Sequence, residues 1–208
     1  MITIQLKSAG KKFLHQWIFR NLNFQIAPFE KIAITGFNGS GKSTLLQTIS
    51  GFQTLNEGTL QYFYDNVEIK SDDWYKKISL AAPYLDLHEE YNMHELISFY
   101  SSFKPFLHSM NEKELISIIE LDESRNKPIK HFSSGMKQRI KLALAVLSDV
   151  PVLLLDEPLS NLDKKGVAWY KNLINEHTSQ KTIIICSNNI EDEISFCERR
   201  IDLHDFKM

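Results

Sequence analysis

Cysteine is scarce: the 208 residues hold two, Cys186 and Cys197. They stand outside any CxxC pattern, which excludes a disulfide framework and a zinc site of familiar spacing and fits a reducing compartment. His88, His94, His108 and His131 show no metal-ligand spacing either and read as surface residues. Basic charge is not in excess. The 24 Lys and Arg against 26 Asp and Glu give a formal net charge of −2. That removes the electrostatic footprint of nucleic-acid binding. No long apolar run is present. The most apolar stretch, 142–155, is interrupted by Ser148, Asp149 and Pro151 and is too short to cross a bilayer. Met1–Leu6 alternates apolar and polar residues, so it reads as a strand and not as a targeting segment. If the chain serves transport, another chain must supply the membrane path.

What is there is the composition of a globular domain, 43% hydrophobic and 24% charged. No repeat, low-complexity run or linker divides the chain, so one domain over 1–208 is expected. Ile2, Ile4 and Leu6 alternate with polar residues, as do Leu22, Phe24 and Ile26; both segments predict half-buried antiparallel strands. Strands are also expected over 32–35, 58–64 and 77–82. A helix over 45–50 closes at Gly51. Helical spacing recurs over 94–103, in a capping-box start at Asn111 and Glu114 for a helix through Leu121, and in the stripe Ile140, Leu144, Leu147. The runs 152–155 and 182–186 are continuously apolar, the mark of parallel strands covered on both faces. Strands alternating with helices predict an α/β fold.

The strongest motif is Gly36-Phe37-Asn38-Gly39-Ser40-Gly41-Lys42-Ser43, followed by Thr44. It matches G-x-x-x-x-G-K-[ST], the P-loop, and lies between a predicted strand and a predicted helix. Its N–H groups converge on phosphate at the positive end of a helix dipole. Lys42 brings a point charge to the β- and γ-phosphates, and the Ser43 hydroxyl can ligate Mg²⁺. Asp156-Glu157 ends the apolar run 152–155, where ligands of such sheets bind. Alone, a strand ending in two carboxylates is ordinary. Beside a P-loop, Asp156 reads as a metal-shell residue and Glu157 as the group that orients or deprotonates water. Ser133, with Ser134 and Gly135 after it, caps a helix start whose backbone is open to phosphate; on its own this pattern is no more than a helix start.

Together these residues resemble the ATP-binding subunit of ABC transporters, over nearly the whole chain. The family's LSGGQ signature matches 132–136, with Ser133 and Gly135 kept, and Gln138 and Arg139 continue it. The D-loop matches 160–163, ending in Asp163. The adenine-stacking aromatic matches Phe13 best, then Trp17. The resemblance implies a RecA-like, mostly parallel sheet core, an N-terminal antiparallel β subdomain and an inserted helical lobe over about 84–148. It also implies Mg²⁺ with ATP, and a head-to-tail dimer, homo- or heterodimer, in which the signature of one subunit meets nucleotide on the other. A separate transmembrane permease is the implied partner, with the chain cytoplasmic on the inner face of the membrane.

Two family positions differ. Pro83 stands at the Q-loop glutamine and Asn188 at the switch histidine; Ser134 and Met136 also depart from the signature. Proline offers no side-chain acceptor. Asn donates a neutral hydrogen bond and cannot become cationic. Binding parts are intact, so slow hydrolysis is expected, with Tyr84 or Asp86 as candidate substitutes. The competing reading is a nucleotide-gated dimerising regulator with weak hydrolysis and no transport role. A P-loop kinase would need neither the signature nor the D-loop. The aromatics Phe99, Tyr100, Phe103 and Phe106 read mainly as packing residues, with a permease-docking groove as the sharper alternative.

Overall fold

The computed structural model describes residues 1–206. In chain order the elements are β1 (Ile2–Phe13), β2 (Gln16–Ile26), β3 (Lys31–Thr35), α1 (Lys42–Ile49), β4 (Glu57–Tyr64), β5 (Val67–Ile69), β6 (Ile78–Ala81), α2 (Met93–Ser101), α3 (Glu112–Ile119), α4 (Ser134–Leu147), β7 (Val152–Asp156), α5 (Lys164–His177), β8 (Thr182–Ser187), α6 (Glu191–Ile194) and β9 (Arg199–Asp202). They group into two compact units.

The first unit takes residues 1–80, 151–157 and the described residues from Gln180 on. It holds a four-stranded antiparallel sheet, order β2-β1-β4-β5, and a five-stranded sheet, order β6-β7-β8-β3-β9. In the second sheet β7, β8, β3 and β9 run parallel. The apolar runs of β3, β7 and β8 are buried on both faces, which is why these strands lack alternation. Ile2, Ile4 and Leu6 of β1, Ile32 and Ile34 of β3, Leu45, Leu46 and Ile49 of α1, and Leu154 and Ile184 form one core cluster. Apolar burial of this kind contributes about 25 cal/mol per Å². It fixes α1, and with it the P-loop, against both sheets.

Parallel pairing has a direct consequence for the site. Thr35 pairs with Ser187, and Asp156 with Cys186, while Thr35 also pairs with Asp202. The C-terminal ends of β3, β7, β8 and β9 therefore lie along one edge. Residues that follow those strands must converge there.

The second unit takes 81–150 and 158–179 and is helical. Asn92 with Glu95 and Asn111 with Glu114 form reciprocal capping boxes at the starts of α2 and α3. Helix α3 ends at Glu120, whose φ of 58° is left-handed, so the helix stops short of Leu121. The buried Trp169 of α5 donates its indole N–H to Ile118 O at 2.7 Å, and the Arg139 guanidinium lies 4.7 Å from its ring. The helical stretch expected over about 84–148 falls in this unit, together with α5.

Candidate functional site

The P-loop follows β3 and opens α1. Gly41 sits at the N-cap with φ 103°, and a Cβ there would lie 2.3 Å from Ile18 Cγ2. Only glycine meets both demands. Lys42 turns back over the loop. Its buried Nζ donates to Gly36 O at 2.8 Å, Phe37 O at 3.2 Å and Asn188 Oδ1 at 2.7 Å. The lysine thus marks the place where a phosphate would enter a ring of backbone N–H groups.

Strand β7 delivers two carboxylates to the same edge. Asp156 is buried, and its Oδ1 has no hydrogen-bond partner. Burial pushes its pKa up and Glu157 adds to the rise, while the hydrogen bond from Ser43 and the charge of Lys42 oppose it. Glu157 takes φ 44°, a left-handed conformation that non-glycine residues avoid. Its N–H donates to Cys186 O at 2.9 Å, so the chain turns sharply just as the ladder ends. The turn brings Glu157 Oε1 to 2.9 Å from Asn188 Nδ2. Glu157, Lys42 and Asn188, the expected catalytic set, are therefore in one hydrogen-bonded line.

A divalent cation fits these residues. Among the described residues no group of three or more His, Cys, Asp or Glu could form a protein cage. Asp156 Oδ1 and the Ser43 hydroxyl instead present an unsatisfied buried carboxylate oxygen beside a neutral oxygen. Mg²⁺ is bound by such a pair, with phosphates and water completing the shell.

Phe37 and Asn38 of the P-loop also line a cleft of about 510 Å³ with Gly36, Asn188, Asn189, Asp202 and His204. Asn189, Asp202 and His204 were missed by sequence reasoning, because they reach the cleft only through the parallel pairing of β8, β3 and β9. Gly39 and Thr44 complete the loop as expected; Ser40 Oγ is buried without a partner. Phe13 is 44% exposed, so it is not a core residue, and Lys11 Nζ lies 5.1 Å from its ring. Trp17, the other stacking candidate, is flanked by Lys12 at 5.1 Å and Arg20 at 4.5 Å. Both candidate rings therefore lie beside cationic side chains.

The signature and D-loop residues belong to the second unit. Ser133 caps α4, its hydroxyl accepting from Met136 N at 3.2 Å. Asp163 caps α5, accepting from Gly166 N at 2.7 Å. Ser133, Ser134, Gly135 and Asp163 line one pocket of about 420 Å³ with Glu120 and Arg139. A Cβ on Gly135 would come within 2.8 Å of Asn161 O, so the helix start and the D-loop touch through the glycine. Pro83 is exposed, and its carbonyl accepts from Lys141 Nζ at 3.2 Å. Tyr84 and Asp86 are exposed in this second unit.

Residues 19–160 match the family model described as ABC transporter. The chain is 29% identical over 202 residues to an uncharacterized ABC transporter ATP-binding protein, YybJ, of Bacillus subtilis, covering 97% of this chain and 92% of that one. It is 28% identical to the cytochrome c biogenesis ATP-binding export protein CcmA of Vibrio vulnificus, over 83% of this chain and 84% of that one. Among solved structures it superposes on dimeric MJ0796, a bacterial ABC transporter cassette, with TM-score 0.80 and 27% identity, covering 96% of this chain and 93% of that one. The same cassette has been solved in a post-hydrolysis state bound to ADP and Pi, with TM-score 0.79 to this chain.

Proposed function

The chain belongs to the ABC transporter family, as one of its ATP-binding, ATP-hydrolysing subunits, and on that premise we propose how its residues divide the work. ATP lies with its triphosphate on 36–44 and its base against Phe13. Lys42 neutralises the β- and γ-phosphates. Ser43 and Asp156 hold Mg²⁺, which supplies charge neutralisation of the phosphates when bound. Glu157 accepts the proton of the attacking water, and Asn188 donates to the γ-phosphate side. The observation that carries this reading is the convergence of Lys42, Ser43, Asp156, Glu157 and Asn188 at the C-terminal edge of one parallel sheet.

The pocket of Ser133, Ser134, Gly135 and Asp163 receives the nucleotide of a second subunit in a head-to-tail dimer. The dimeric state of the related MJ0796 cassette supports that arrangement. The dimer drives a transmembrane permease at the inner face of the membrane; among the described residues no helix is long and apolar enough to cross one. Relatives named as export and transport subunits weigh against a regulator without transport. Exposed aromatics of the second unit offer a surface for the permease: Phe103 is 69% exposed, and its ring lies 5.0 Å from Phe99, which in turn lies 4.6 Å from His88. Hydrolysis is slow, because Pro83 and Asn188 replace groups that assist it in the family. Losing one transition-state donor costs roughly 10²–10³ in rate.

Mixing tests the dimer. Lys42→Ala subunits and Ser133→Arg subunits are each inactive, yet their heterodimer contains one intact site. Recovered phosphate release on mixing is expected. No recovery, with heterodimers confirmed by mass, contradicts the head-to-tail arrangement.

A further inference from the structure

Two charges stand where the local structure disfavours them. Asp202 ends β9 and pairs in register with Thr35, the residue before the P-loop. A Cβ on Gly36 would lie 3.8 Å from Asp202 Oδ1, so an exposed carboxylate flanks the first residue of a loop that reads as a seat for a polyanion. Neighbouring like charges repel. Among the described residues lining this cleft Asp202 is the one acidic side chain, and no Lys or Arg joins it there. Its Oδ1 accepts from His204 N at 2.9 Å, a neutral donor that leaves the charge in place.

The second misplaced charge is on α5. The helix begins with Lys164 and Lys165, and its first turn holds no acidic residue. Free N–H groups make that end of a helix positive, so cations there are repelled. Asp163 precedes them, but its carboxylate accepts from Gly166 N at 2.7 Å as the cap. Of the two lysines, Lys165 lines the pocket that holds Ser133 and Gly135. Another pair of charges in that pocket is matched within it, Glu120 accepting from Arg139 at 2.7 Å. Among the described residues neither Lys165 nor Asp202 has an ion-pair partner.

One contact answers both mismatches. In the head-to-tail dimer proposed above, the P-loop face of one copy meets the Ser133 pocket of the other. Each of those faces carries one unmatched charge, and the two are opposite in sign. We propose that Asp202 of each copy forms an ion pair with Lys165 of a second copy. The chain is then its own partner, in a homodimer with two equivalent pairs related by a twofold axis. The pair offsets the anion beside the phosphates and the cation at the helix start together. It forms only as the faces close, so it strengthens association and not nucleotide binding by the monomer. A different subunit without a cation at that place would leave Asp202 unmatched, so the pair also selects self over other. This rests on the head-to-tail reading of the two faces.

Sedimentation of the purified chain with Mg²⁺ and a saturating non-hydrolysable ATP analogue tests the pair. The variants are Asp202→Lys, Lys165→Glu, the double variant, and an equimolar mixture of the two single variants. In either single variant both contacts of the homodimer set like charges together, and the dimer Kd rises by about tenfold or more. The double variant restores opposite charges at both contacts. So does the heterodimer in the mixture. Both should dimerise within about threefold of wild type, and added salt should narrow the gap between wild type and the single variants. A wild-type dimer that both single reversals leave unchanged overturns the pair alone, as does a loss that neither the double variant nor the mixture recovers. A wild type that stays monomeric with the analogue, or a dimer that Ser133→Arg leaves intact, overturns the head-to-tail reading and the pair with it.

Discussion

Replacing Gly41 by alanine gives the clearest physical test of the P-loop geometry. Two costs add. The first is backbone: φ at Gly41 is 103°, and a left-handed conformation costs a residue with a Cβ about 1–2 kcal/mol. The second is steric. The new methyl would lie 2.3 Å from Ile18 Cγ2, and Ile18 is β-branched, so that methyl cannot swing away freely. Forcing a methyl into packed space costs about 1–3 kcal/mol. The sum is about 2–5 kcal/mol, roughly 5–20 °C in Tm for a chain of this size. Thermal unfolding of wild type, Gly41→Ala, Ile18→Ala and the double variant separates the two parts. Ile18→Ala removes the clashing methyl, so the double variant should recover the steric share and keep the backbone share. ATP affinity should fall in Gly41→Ala, because the N–H ring of the loop shifts with the helix start. A Gly41→Ala protein with wild-type Tm and wild-type ATP affinity would refute this reasoning.

Asp156→Asn should stabilise the protein and abolish Mg²⁺-dependent turnover. Burial raises the Asp156 pKa, so the charged form is the destabilised one, and its penalty is present at neutral pH and fades as pH falls through the folded pKa. A higher Tm at neutral pH, with the gain shrinking in acid, is expected; a lower Tm at neutral pH would count against it. Neither cysteine should react with a thiol reagent at pH 8 in the folded protein. Cys186 is fully buried, and burial pushes Cys197 up to about 12; fast labelling of either in native protein contradicts the packing around it. Asn188→His combined with Pro83→Gln should raise kcat by about tenfold or more with ATP affinity nearly unchanged, since an interaction strongest in the transition state changes rate and not ground-state binding. A double variant no faster than wild type would show that other residues have taken over those roles.

What the sequence made legible was local. The P-loop is a run of consecutive residues whose chemistry needs only a strand before it and a helix after it, and both are present. The capping box at Asn111 was readable for the same reason, and so was the helix end at Gly51, which takes a φ of 83°. What escaped depends on distant pairing. The bridge from Lys42 through Asn188 to Glu157 spans 146 and 31 residues and follows from β8 lying between β3 and β7. No short pattern encodes that order. Strand β1 runs on to Phe13, past the expected alternation, because bulges between Leu6 and Ala9 break the period of two and Ser8 is left-handed. Helix α5 was not expected, although Asp163, read only as a D-loop residue, is also its N-cap. The aromatics of the helical stretch divide: Phe106 is buried, Phe99 and Tyr100 are half-buried, and Phe103 stands in solvent. Helical spacing alone does not separate those fates.

If Glu157 drives hydrolysis of an ATP held by Lys42, Glu157→Gln separates binding from turnover. The amide keeps the shape of the carboxylate but cannot accept a proton. Mg-ATP binding and phosphate release should be measured on the same preparation, with size-exclusion to detect dimers. Glu157→Gln should bind ATP at wild-type affinity or tighter, accumulate as an ATP-bound dimer, and release phosphate more slowly by at least about 10². Phosphate release at the wild-type rate would contradict it.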